Sequence, residues 1–259
     1  MSEVLARLRS SVPRPSLRSV ATAPVRPRTY GNLAYLALSF PLGIAYFVVV
    51  VVGLSLSVGL AILLVGVALF VGLLATTVGL VTVERRLTGA LVGVDIEAPD
   101  WKFRDGDDLR EQVTGLLLDP AVWLGLVYLA TKLAVGIAAF TLLMVLLVPA
   151  VVLVATPLFY DQPGVTVGLF LPTDVSRELS LYVPWNELLV GVSFVVRLTS
   201  WQVTTLADAV AMSALGVVAL VVALNLLNGA AWLCGQWARL LVGGTLTRRV
   251  DGTLARYVG

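Results

Sequence analysis

Residues 33–83 contain no charged side chain. One helical pass through a bilayer takes about 20 apolar residues, so this run predicts two membrane spans rather than one core helix. The serines of Leu54-Ser55-Leu56-Ser57 mark the expected turn of a tight hairpin, with spans at about 33–54 and 58–83. Pro41 falls in the early turns of span one, where a missing amide donor is tolerated or kinks the helix mildly. Glu84-Arg85-Arg86 reads as a sharp charged stop to span two.

The most polar stretch, residues 84–119, comes next. Leu109, Val113, Leu116 and Leu117 follow helical spacing and predict a short amphipathic helix. Asp119-Pro120 opens another helix, with Lys132 at the foot of a third span at about 133–159 that bends at Pro149. Over residues 160–205 the period changes to two. Val165, Val167 and Leu169 alternate with small or polar residues, as do Leu179, Leu181 and Val183, and then Val190 through Leu198. Three short strands in a small antiparallel sheet are predicted, with a short helix over residues 185–198 as the competing reading. Thr205-x-x-Asp208 reads as a capping box opening a fourth span at about 207–233.

The predicted fold class is all-α integral membrane: a four-transmembrane-helix bundle with a small extracytoplasmic β-strand segment and a cytoplasmic amphipathic helix. The expected domains are a disordered basic tail at 1–29, a four-span membrane domain at 30–245 and a short tail at 246–259. Composition agrees with lipid burial. The 259 residues are 58% hydrophobic and 13% charged, against about 25% charged in soluble domains. The first thirty residues are basic and proline-rich, with Val4, Leu5 and Leu8 able to form a short surface helix, and do not read as a signal peptide.

All of the 18 basic residues except Lys132, Arg177 and Arg197 lie in the two tails and the 84–119 loop. By the positive-inside rule this predicts a multi-pass protein of the cell membrane with both termini cytoplasmic and the strand segment external. A net charge of +2 gives no reason to expect a nucleic-acid partner. There is no histidine, which removes the commonest general base and metal ligand. The single Cys234 excludes an internal disulfide and a Cys-based zinc site, and reads as a small buried hydrophobe.

Candidate contacts fall into five groups. Ala68, Gly72, Ala75 and Gly79 share one face of span two. Packing inside the bundle is the favoured role, with a homodimer contact as the alternative. Asn225, Asn228 and Gln236 share a face of span four and read as polar glue between helices, with a ligand pocket as the alternative. Tyr35, Ser39, Gly43 and Tyr46 align on span one and are expected to pack against those amides. Glu84, Arg85, Arg86 and Arg110 are candidates for a cytoplasmic partner contact, and Tyr182, Trp185, Arg197 and Trp201 for an extracytoplasmic one. Asp105-Gly106-Asp107-Asp108 lacks the ligand spacing of a calcium loop. No phosphate loop, nucleophile elbow or ionisable cluster within the spans is evident, so neither an enzyme nor a proton-coupled transporter is expected, and no cofactor or metal is implied.

Several of these residues together resemble a known family. They are Ser39-Phe40-Pro41-Leu42-Gly43-Ile44 with Tyr46-Phe47, Gly59-Leu60, Gly66, Glu84-Arg85-Arg86-Leu87, Asp119-Pro120, Trp123, Tyr128-Leu129 and Lys132, then Leu215-Gly216 and Asn225 to Asn228. They look like the four-span sensor domain of actinobacterial and haloarchaeal two-component histidine kinases, over about residues 30–245. The resemblance implies a membrane input module. With no histidine to phosphorylate and no kinase domain expected after span four, a free-standing form is predicted, whose output passes to a separate signalling or membrane partner. A small transporter or permease subunit and a structural membrane scaffold are the alternative readings.

Overall fold

The structure is a computed structural model that describes residues 22–99, 101, 108–162, 168–169, 175–185, 188–198 and 201–244, with the strands given by their backbone. The readings placed on residues 1–21 and 245–259, on Asp105 to Asp107, and on the side chains of Tyr182, Trp185, Arg197 and Trp201 lie outside the described residues; residues 22–29 of the expected N-terminal tail are described, with a 3-10 turn at Ala23–Val25 and a helix from Pro27. Helices α1 (Pro27–Gly59), α2 (Val65–Val92), α3 (Leu109–Leu118), α4 (Pro120–Ala155) and α5 (Leu206–Val242) follow in order, with strands β1 (Gly168–Leu169), β2 (Val175–Trp185), β3 (Leu188–Leu198) and β4 (Trp201–Gln202) between α4 and α5. All but α3 are long and apolar enough to cross a membrane. The protein is therefore a multi-pass membrane protein.

Every long helix is longer than its predicted span, although α2 starts later and α4 ends earlier than predicted. The hairpin turn lies at residues 60–64, beyond the two serines. Ser57 stays helical because its hydroxyl donates to the Gly53 carbonyl at 2.6 Å, a local bond that removes the cost of a hydroxyl in an apolar segment. Leu64 makes the turn in the left-handed region, at φ 60°. Glu84-Arg85-Arg86 does not stop α2, which runs on to Val92. It ends where Gly93 takes φ 69° and returns its N–H to the Thr88 and Gly89 carbonyls. Arg28 on α1 donates to the Val92 carbonyl at 2.9 Å, placing a cation on the exposed carbonyls of that C-terminus. At the start of α4, the Asp119 carboxylate accepts the Ala121 N–H at 2.9 Å. The Thr205–Asp208 box closes reciprocally: Asp208 N–H donates to Thr205 Oγ1 at 3.2 Å, and Thr205 N–H to Asp208 Oδ2 at 3.3 Å.

The chain divides into two compact units, residues 1–148 with 221–259, and residues 149–220. In the first, α1 and α2 pair as an antiparallel hairpin. The α4 segment runs in the same sense as α2: Trp123 meets Phe70 with ring centroids 6.0 Å apart, Gly125 faces Thr77 and Val81, and Tyr128 reaches Glu84. A strict up-and-down order would have set these two helices antiparallel. The amphipathic α3 buries Leu116 but leaves Leu109 81% exposed, so only part of its predicted apolar face is covered. In the second unit, Val203, Ala209 and Met212 form a small core with Leu153 and Tyr160, and Ser213 donates to the Val154 carbonyl at 2.8 Å. Here β2 and β3 pair antiparallel from Val175↔Leu198 to Trp185↔Leu188, while β1 pairs with β4. These are two separate strand pairs rather than one three-stranded sheet, and Leu188–Leu198 is a strand rather than a helix.

The α1–α4 crossing depends on two glycines. A Cβ at Gly43 would lie 2.9 Å from the Lys132 carbonyl oxygen and from Leu133 Cα. One at Gly136 would overlap the Ser39 carbonyl and lie 3.1 Å from Phe40 Cα. Both obstacles are backbone, so neither can move aside like a side chain. Gly136→Val is expected to lower stability by about 2 kcal/mol or more through overpacking. Gly72→Val, where nothing lies within 4 Å of an added Cβ, should stay within about 0.5 kcal/mol of the parent. Thermal unfolding of both variants in the same mild detergent checks the contrast.

Candidate functional site

The centre of the first unit holds a buried ion pair. Lys132 on α4 meets Glu84 on α2 at 2.5 Å. Three tyrosines enclose the pair, Tyr35 and Tyr46 from α1 and Tyr128 from α4, and all five residues are at most 3% exposed. The bonding is complete for the cation. The ammonium has three N–H donors, and they go to Glu84 Oε1, to the Tyr35 hydroxyl at 3.1 Å and to the Tyr128 hydroxyl at 3.2 Å. The carboxylate is held as fully. Its Oε1 accepts from Tyr35 at 3.1 Å and Tyr128 at 2.8 Å, and its Oε2 from Tyr46 at 3.2 Å. The ammonium also lies 4.7 Å from the Tyr35 ring centroid, within cation–π range.

Removing two charges from water carries a desolvation penalty of several kcal/mol per ion, which only good geometry and further hydrogen bonds offset. The tyrosines supply those bonds. They also join α1, α2 and α4 at one level, so that none of the three can slide along another without breaking the network. The cluster therefore acts as a polar lock in an apolar bundle.

This corrects the expectation that the spans hold no ionisable cluster. Glu84 is wholly buried and is not a surface for a cytoplasmic partner. Lys132 is not at the foot of a span but about three turns inside α4. Two signals pointed to the pair. Lys132 is the only charged residue in positions 120–160, and a lone ammonium in such a run requires a partner. Glu84 also shares its helix face with Thr77, Val81 and Thr88, all buried, whereas Arg85 is half-buried and Arg86 exposed.

The other predicted contacts fall as follows. Tyr35, Ser39, Gly43 and Tyr46 face α2 and α4 rather than the span-four amides; Ser39 donates to its own Tyr35 carbonyl. The α1 residues that meet α5 lie one turn earlier. Asn32 donates to Asn228 Oδ1 at 2.7 Å, and Asn228 donates to Thr29 Oγ1 at 3.2 Å. Asn225 donates to the Val221 carbonyl of its own helix at 2.7 Å. Gln236 lines a cleft of about 420 Å³ with Arg28, Asp95, Glu97, Trp232 and Arg239. Ala68, Gly72, Ala75 and Gly79 are all exposed, so this face does not pack inside the bundle as favoured from the sequence. Arg110 is exposed on α3. Tyr182 pairs with Gly191, Trp185 with Leu188, Arg197 with Ser176 and Trp201 with Leu169 in strand register. Cys234 is half-buried against the core.

Removing one member of the lock should be worse than removing both charges. Lys132→Met leaves a buried carboxylate without its counter-ion and is expected to cost about 3–5 kcal/mol. Glu84→Gln combined with Lys132→Met should recover much of that loss. Tyr46→Phe, which removes one hydrogen bond, should cost about 1 kcal/mol. Unfolding of the four proteins in one detergent, followed by tryptophan fluorescence, reads all three values.

No curated protein matches the chain, and no solved structure does. The family model described as "Putative sensor" matches residues 35–242, a stretch that takes in the lock, the strand segment and the four long helices apart from the first two turns of α1. The chain belongs to that sensor family.

Proposed function

We propose that the protein is a non-enzymatic input module that passes an extracytoplasmic or membrane signal to a separate protein partner. The observation that carries the reading is the lock. It ties α4 to α1 and α2 through Lys132, and α4 leads directly into the strand segment. A ligand that binds one arrangement of that segment better than another would bias α4. The lock resists graded sliding, so such a bias favours a change between discrete packings. The exposed Arg86 and Arg110 are the residues offered to a partner, and Asn225 and Asn228, bonded within the bundle, serve as helix contacts rather than a solute path. The exposed small-residue face of α2 is open to lipid or to a second copy of the chain.

Loop charge supports a cytoplasmic position for both termini and an external one for the strands, while the shared sense of α2 and α4 departs from the strict alternation of spans that this orientation needs. Single-cysteine labelling tests this directly. In a Cys234→Ser background, Ser193→Cys should react with an impermeant maleimide in intact cells, and Ser10→Cys only after permeabilisation. Protection of position 193 in intact cells would overturn the reading. For the output, a stoichiometric protein partner should co-purify in mild detergent and be lost in the Arg86→Glu, Arg110→Glu double variant. Solute flux in proteoliposomes with no such partner would move the assignment to a permease.

A further inference from the structure

Beside the C-terminal half of α2 lies a cleft of about 970 Å³. Arg85, Arg86 and Trp101 line it, with Thr82, Gly89, Ala90 and the extended segment through Asp95, Ile96 and Pro99. The lock does not use any of these side chains. We propose that this cleft binds a phosphate group, that of a phospholipid headgroup.

Four observations support this. First, only the buried Glu84 separates the two guanidiniums from the uncharged run of α2, so they fall where the hydrocarbon gives way to headgroups. Second, Arg85 is held in place. Its Nε–H donates to the Ile96 carbonyl at 3.3 Å, and a guanidinium carries five N–H donors in a fixed fork that suits paired phosphate oxygens. Third, two arginines and Asp95 give the lining a net charge of +1, which complements a phosphodiester monoanion. Fourth, Gly89 and Ala90 leave the helix wall low at the cleft, and Trp101 supplies an indole beside it, a residue type favoured at the membrane interface. The negative end of the α2 dipole would oppose an anion, but Arg28 and the Gly93 N–H already occupy the last carbonyls.

The test uses the full chain in mild detergent and two probes, short-chain phosphatidylglycerol and inorganic phosphate, with binding read by native mass spectrometry and calorimetry. One phosphatidylglycerol per chain should bind, and millimolar inorganic phosphate should not displace it. Arg86→Glu, at an exposed position, should weaken binding by about tenfold or more, and Arg85→Gln should do so as well. Arg26→Gln, at an exposed arginine outside the cleft lining, should leave binding unchanged. Displacement by inorganic phosphate at comparable affinity would keep the phosphate chemistry but overturn the lipid as its source. Phosphatidylglycerol binding that survives in an Arg86→Glu protein with an unchanged unfolding midpoint would overturn the site, as would failure of both probes to bind the parent. Binding of an acidic peptide, with no phosphatidylglycerol bound, would assign the cleft to a protein partner instead.

Discussion

The Glu84–Lys132 pair governs the packing of this bundle. In lipid, apolar side chains gain little by leaving hydrocarbon for a protein interior, so helix association depends on close packing and on polar groups that must find partners. Here the two requirements coincide. Gly43 and Gly136 let α1 and α4 meet backbone to backbone, and that approach sets Lys132 beside Tyr35 within reach of Glu84. Without the glycines the ammonium would stand farther from the carboxylate, and the pair adds a polar contact to the register that the glycines set. Asn32, Asn228 and Thr29 add a second polar contact on the same α1 helix, toward α5.

The lock also gives physical content to the family assignment. A signal-passing module needs elements that hold more than one arrangement without melting. A network in which every ammonium hydrogen is bonded penalises partial displacement more than it penalises a jump to another satisfied state. The strand segment interrupts the chain between α4, which carries Lys132, and α5, which carries Asn228. Under the proposed function, a change there would reach the two polar contacts through these helices. The arginine-lined cleft near the α2 C-terminus adds a place where membrane composition could act on the same helix as Glu84.

Much of this was legible in the residues. The uncharged run, the Thr205–Asp208 box, the Asp119-Pro120 start and the period-two stretch each encode a local rule, and local rules survive without knowledge of the neighbours. What failed depends on a partner, although Asn228 does bond to another helix as its place on the polar stripe suggested. Ser55 and Ser57 look like a turn in water, yet a hydroxyl can bond back to its own helix. Glu84 looks like a stop beside two arginines, yet successive residues turn by about 100° on a helix, so one acid can face inward while its neighbours face out. The small-residue stripe of α2 has the spacing of a packing face, but Gly72 and Gly79 meet nothing within 4 Å, whereas Gly43 on α1 and Gly136 on α4 sit at a close crossing. The shared direction of α2 and α4 had no local signature at all.

The central claim is that positions 84 and 132 must satisfy each other in the folded bundle. A charge exchange measures it most directly: Glu84→Lys alone, Lys132→Glu alone, and the two together, each purified in one detergent and scored for monodispersity and unfolding midpoint. The account predicts that each single reversal, with two like charges buried together, fails to give a folded species, and that the exchange restores one because the tyrosine hydroxyls can donate or accept. A single reversal that folds like the parent would contradict it.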